Sequence, residues 1–134
     1  MAMIRTDIHI DADPDAVWDI LRDAGAVHTR LAPGFVTDTR LDGDHRHVTF
    51  ANGVTARELL VSRDDAARRI AYSVQGGAIG HHHASFEATP DGRDGTNLVW
   101  TTDVYPDSAV EQFRPMIEMG AAAIRKALNG AARA

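Results

Sequence analysis

The chain of 134 residues has no cysteine, few aromatics (6%) and a single lysine. Without cysteine, disulfides, thiolate nucleophiles and cysteine–metal sites are excluded. The one lysine, Lys126, falls near the end of the chain and is an unpromising candidate for Schiff-base chemistry. No stretch approaches the ~20 apolar residues of a membrane span, and the opening MAMIRTDIHID lacks the apolar run of a signal peptide. Positive charge is also short: 14 Lys and Arg against 19 Asp and Glu leave a net charge of −5. That excludes the basic footprint of a nucleic-acid binder and the polybasic anchor of a membrane-surface protein. A cytoplasmic, soluble protein is expected.

The charge that is present is lopsided, with 13 Arg to one Lys and 15 Asp to four Glu, alongside 22 Ala. This is the pattern of GC-rich coding, so the arginines are not read together as a binding surface. A chain of this length buries about two-thirds of its unfolded surface, enough for one core and a ligand cavity. Residues 1–130 are expected to form that single domain, with 131–134 a frayed tail.

Ile4, Thr6, Ile8 and Ile10 alternate with Arg5, Asp7, His9 and Asp11, the period of a half-buried strand. Asp13-Pro14-Asp15 then opens a helix carrying Ala16, Val17, Trp18, Ile20 and Leu21, with Gly25 its expected end. His28 to Pro33 suggests a second short helix. Strands follow. Phe35, Thr37, Thr39 and Leu41 alternate up to Asp42-Gly43-Asp44, and Arg46, Val48 and Phe50 up to Asn52-Gly53, both hairpin signals. Val54–Ser62, 68–75, His81–Ala88 and Thr96–Tyr105 complete the set, the last with Leu98, Trp100, Thr102 and Val104 on one side. A long helix begins at Pro106-Asp107-Ser108 and is expected to stop at Gly130. Its apolar stripe is Val110, Phe113, Ile117, Ile124 and Leu128, and Pro115 within it predicts a kink.

Strand, one or two short helices, about six antiparallel strands and a long helix make an α+β chain. Such a sheet curves, and a helix about 30 Å long can lie across its concave face and trap a space beneath it. The segment Ile8-His9-Ile10-Asp11-Ala12-Asp13-Pro14-Asp15-Ala16-Val17-Trp18 resembles the opening of the SRPBCC superfamily. Its members include the START, polyketide cyclase/dehydrase and birch-pollen-allergen-like helix-grip proteins. Glu58-Leu59-Leu60 through Arg69-Ile70-Ala71-Tyr72-Ser73 and Gly95-Thr96-Asn97-Leu98-Val99-Trp100 before Tyr105-Pro106 agree with it, and the likeness runs over residues 3 to 129. The resemblance implies a helix-grip fold, with a curved antiparallel sheet of about seven strands around the C-terminal helix. It also allows a homodimer. Function follows less directly, since this scaffold binds lipids and hormones, cyclises polyketides and assists chaperones.

Trp100, Tyr72 and Phe86 fall on the inward parity of three strands, and Phe113, Met116 and Ile117 would meet them from the helix. With Phe50, Glu58 and His82 they make the expected wall of a small-molecule pocket, aromatic with a few polar tips. A filled core is the competing expectation. Glu58 shares a face with Val54, Ala56 and Leu60, where burial would raise its pKa and fit it for general-base or ligand-orienting work. The alternative is a sheet-edge glutamate paired with Arg57 or Arg69. Glu58, Tyr72 and His82 are thus the candidate catalytic residues.

In the run His81-His82-His83, His81 and His83 share a strand face with Glu87, and His45 and His47 repeat the spacing elsewhere. Two histidines are too few for a zinc site unless the strands neighbour, so a solvated histidine face is expected and no metal. Gly76-Gly77-Ala78-Ile79-Gly80 lacks the Lys and Ser/Thr of a phosphate loop and reads as a flexible entrance loop; no cofactor is expected. Ser85 near His83 makes no triad.

The leading expectation is a protein that binds a small hydrophobic or aromatic molecule between sheet and helix. A polyketide cyclase/dehydrase-type enzyme, with Glu58 and either Tyr72 or His82 as its acid–base pair, is the alternative the resemblance implies. A chaperone-associated module would need an apolar convex face, and Arg5, Asp7, His9, Thr101 and Asp103 read as mostly polar.

Overall fold

The computed structural model describes residues 2–76 and 79–133, with side chains through residue 130. Seven strands, β1 (Ala2–Ile10), β2 (Val36–Asp42), β3 (His45–Phe50), β4 (Thr55–Asp64), β5 (Arg69–Gln75), β6 (His81–Pro90) and β7 (Thr96–Tyr105), form one antiparallel sheet. Their order is β1-β7-β6-β5-β4-β3-β2, so β2 to β7 meander while β1 pairs with the last strand. Among the described residues there are also two α-helices, α1 (Pro14–Leu21) and the long α2 (Val110–Arg133), the second led in by a 3-10 turn at Asp107–Ala109. This is the expected helix-grip arrangement. No described helix is long and apolar enough to cross a membrane.

Alternation sets which side chains face α2. Ile4, Ile8 and Ile10 of β1, Ala84, Phe86 and Ala88 of β6, and Leu98, Trp100 and Thr102 of β7 are all buried. On α2, Ile117, Ala121, Ile124 and Leu128 are buried at helical spacing, as the stripe predicts. Asn129 ties the far end of α2 to β1: its Oδ1 accepts from the Asp11 backbone N–H at 2.8 Å, and its Nδ2 donates to the His9 carbonyl at 3.4 Å. Helix α1 is capped by the Asp13 side chain, which accepts from the Ala16 N–H at 2.8 Å. Trp18 is core, with its indole N–H donating to Asp65 in the β4–β5 turn.

The sequence reading departs from the structure at several ends. Helix α1 stops at Leu21, with Arg22 as its cap, rather than at Gly25, which does not adopt the left-handed conformation of a helix stop. Gly130 does not either, and α2 runs on to Arg133. The frayed-tail expectation reaches Ala134, outside the described residues. The short helix expected over 28–33 is one π turn, Val27–Leu31. Strand β4 extends to Asp64, where Arg63 pairs Ile70 of β5. In β2, a register shift between Val36 and Asp38 moves the inward position to Val36, while Leu41 at the sheet edge is 52% exposed. Gly43, with φ of 59°, turns the β2–β3 hairpin in a conformation L side chains avoid. Gly77 and Ala78, the middle of the expected entrance loop, lie outside the described residues.

Candidate functional site

Between the sheet and α2 lies a cavity of about 100 Å³, or about 850 Å³ counted out through its open mouth. Phe50, Glu58, Tyr72, His82, Phe86, Trp100, Phe113, Met116 and Ile117 all line it. The nine expected wall positions are therefore brought together, six from the strands and three, Phe113, Met116 and Ile117, from the long helix.

The aromatic wall follows from register. Phe86 and Trp100 are directly opposed in the β6–β7 pairing, and their rings stack at 4.7 Å and 24°. Tyr72 lies two residues from Ile70, the partner of Phe86, and its ring stacks on Phe86 at 6.3 Å. The Trp100 indole N–H donates to the Tyr72 hydroxyl oxygen at 3.2 Å. From the other sides, His82 meets Phe113 at 5.3 Å and Phe35 meets Phe50 edge-on at 5.3 Å. Gly120 lets α2 come close: a Cβ there would stand 3.0 Å from the Trp100 ring and 3.1 Å from Phe35.

The polar centre is an ion pair. Arg46 and Glu58 face each other in the β3–β4 register, and their side chains are each 8% exposed. Arg46 Nε and Nη2 both reach Oε1 of Glu58, at 2.8 and 2.7 Å. Nη1 donates to the Ala24 carbonyl at 3.3 Å, and the guanidinium stands 5.3 Å from the centre of the Tyr72 ring. Arg46, rather than Arg57 or Arg69, is thus the partner of Glu58. Arg57 is the next residue along β4 and points to the other face, while Arg69 registers with Asp64 and Glu87. Burial pushes the Glu58 carboxyl above its ordinary value, and the charge of Arg46 works against that rise. Burial first, and the charge of Glu58 second, raises the Tyr72 phenol well beyond its usual range.

His82 is buried, and its Nδ1 accepts from the Val74 backbone N–H at 3.0 Å. A neutral imidazole that accepts at Nδ1 carries its proton on Nε2, which fixes the tautomer. Burial, with His83 and His81 adding to it, pushes its pKa down to about 4, so the ring is neutral at pH 7. His81 and His83 lie on the opposite face of β6, and His45 and His47 are on β3, with β4 and β5 between. Among the described residues no three His, Asp or Glu side chains gather where a metal could sit.

The sequence reading missed Arg46, Phe35, Thr102, Gly120 and Ile124 as lining residues. Arg46 could have been found, because it shares the parity of Val48 and Phe50: a charge on an apolar face needs a partner, and Glu58 is the other such charge. Phe35 precedes the bulged β2 and carried no usable signal.

The whole chain, residues 1–134, matches the family model described as "Polyketide cyclase / dehydrase and lipid transport". No curated protein matches its sequence. Several solved structures share the fold. A protein from Thermobifida fusca superposes with a TM-score of 0.80 at 26% identity, covering 98% of this chain and 93% of its own. A point mutant of norcoclaurine synthase from Thalictrum, in complex with a transition-state analogue, gives 0.75 at 21% identity over 98% and 94%. Zhui aromatase/cyclase from Streptomyces sp. R1128 gives 0.70 at 23% identity over 98% and 93%.

Proposed function

We propose that this chain, which belongs to the polyketide cyclase/dehydrase and lipid transport family of the SRPBCC superfamily, binds a small hydrophobic or aromatic molecule beneath α2. The observation that carries the reading is the cavity itself: stacked Tyr72, Phe86 and Trp100 on the sheet, Phe113 and Met116 on the helix, and one neutralised ion pair. Flat aromatic walls gain from ring stacking beyond the area they bury, and a few polar groups suffice to orient a guest. Thermal shift and tryptophan fluorescence against fused-ring aromatics, linear polyketide mimics, sterols and fatty acids test it. A ligand at 100-fold its Kd adds about 2.7 kcal/mol, a shift of several degrees here. A hit should also quench Trp100; stabilisation without any change in tryptophan emission would place the ligand elsewhere.

A second reading, turnover of an aromatic polyketide, is supported by the acid–base groups on the same wall. Glu58 with a raised carboxyl pKa can accept a proton, and Tyr72 or the Nε2–H of His82 can hydrogen-bond the oxygen on which charge develops. With a polyketide mimic as substrate, Glu58→Gln should lower turnover at least 100-fold, well beyond any loss of binding. Equal losses in both would leave Glu58 as a binding group only.

A further inference from the structure

The Arg46–Glu58 pair is asymmetric. Both bonds from Arg46 end on Oε1, and Oε2 accepts no hydrogen bond from any described residue. Glu58 is 94% removed from solvent, with a residue exposure of 6%, so a carboxylate oxygen there has only the cavity from which to take a partner. Among the described lining residues Arg46 is the one cation and Glu58 the one carboxylate, so the wall carries no uncompensated charge. Of the remaining polar groups, the Tyr72 hydroxyl already accepts from Trp100 and keeps its own hydrogen to give, His82 keeps Nε2–H, and the Thr102 hydroxyl can give or take.

These groups define what fits. A neutral guest with a hydroxyl can donate to Oε2, and a carbonyl or ring oxygen on the same guest can accept from Tyr72 or His82. A guest carrying a free carboxylate meets a wall whose single guanidinium is already neutralised. It would set a second negative charge beside Glu58 between apolar walls, where like charges repel more strongly than in water. Resting on the reading that this cavity binds small aromatic or hydrophobic molecules, we propose that it selects neutral phenols and enols, seated with the O–H on Oε2 of Glu58, and rejects free carboxylic acids, fatty acids among them.

Calorimetric titration at pH 7 with four probes on one ring system tests this: 2-naphthol, 2-methoxynaphthalene, naphthalene and 2-naphthoate. At that pH the naphthol is neutral and the naphthoate ionised. The expected order has 2-naphthol about tenfold or more tighter than 2-methoxynaphthalene, which cannot donate, with naphthoate weakest. Each tenfold step corresponds to about 1.4 kcal/mol. Naphthoate binding as tightly as naphthol, or methoxynaphthalene matching naphthol, overturns the selectivity while leaving the cavity reading in place. If none of the four binds, naphthalene included, the cavity reading falls and the selectivity with it.

Glu58→Gln sharpens the test in a direction that simple loss of structure does not mimic. Glutamine keeps an oxygen for Arg46 but leaves the guanidinium charge uncompensated, so the variant should gain at least tenfold for naphthoate and lose its preference for naphthol. A folded variant that keeps the wild-type order overturns the proposal. If it does not fold, the double variant Arg46→Met/Glu58→Leu, which removes both charges, should bind naphthol and methoxynaphthalene within about threefold of each other. A tenfold preference surviving there would overturn it equally.

Discussion

Where β1 and β7 meet, Ile8, Ile10 and Leu98 are wholly buried and Asn129 locks α2 down over the strand end; around β3 to β5, inward residues of the same parity ring a hollow. The closed end is built from branched aliphatics, which interdigitate until little space is left. The open end is built from flat rings, a glycine in the helix and two charges that hold each other rather than filling volume. Alternation thus decides which side chains turn inward, while side-chain shape and charge decide whether the inward space is filled.

The sharpest way to break the comparison is to remove one half of the ion pair. Arg46→Met should cost about 3–5 kcal/mol in urea unfolding, because Glu58 is left buried and uncompensated. The double variant Arg46→Met/Glu58→Leu should recover most of that loss. A single variant as stable as the wild type would mean that the pair is solvated and that the open end reaches water freely.

At the closed end, Leu98→Ala should destabilise by about 3 kcal/mol, since the site is fully buried and cannot collapse. Phe113→Ala, on a half-buried ring at the hollow, should cost about 1 kcal/mol. Similar losses at the two positions would show that both ends are packed alike.

A third test uses pH. The pKa of His82 is depressed in the folded chain, so the unfolded chain takes up its proton first as pH falls. Its contribution is fully present above about pH 6.5 and is lost as pH drops towards 4, on the order of 2–3 kcal/mol in all. His82→Gln should flatten the stability profile in that window, whereas substitution of the exposed His81 should not. An unchanged profile in His82→Gln would place the titration elsewhere.

The smallest effect on stability is expected at Gly120→Ala. A better helix former gains roughly 1 kcal/mol, and pressing on Trp100 and Phe35 takes much of it back. Ligand affinity should nevertheless fall, because the added methyl pushes the ring into the hollow. Undiminished affinity for a bound aromatic would separate the site from Trp100.

Most of the frame was legible in the sequence. The alternation of β3 to β7 and the apolar side of α2 placed nine residues that do line one cavity, since a period of two or 3.6 leaves little freedom about facing. What alternation could not convey was partnership across strands. Arg57 and Arg69 were the arginines nearest Glu58 in sequence or in expected pairing, yet register placed Arg46 opposite it. Nor could it convey that one extra residue in β2 would turn Val36 inward, or that Gly25 and Gly130 would keep ordinary backbone angles. Those outcomes depend on contacts between elements far apart in the chain.

The pairing of β1 with β7 sets a timetable for synthesis. Each of the other strands meets a neighbour that is translated directly before or after it, but β1 ends at Ile10 and its one partner among the described residues begins at Thr96. At roughly 5–20 residues per second, the ribosome takes on the order of ten seconds to supply that partner. For that interval Ile4, Ile8 and Ile10 form an apolar segment with both strand edges bare, made well ahead of the strand it must meet.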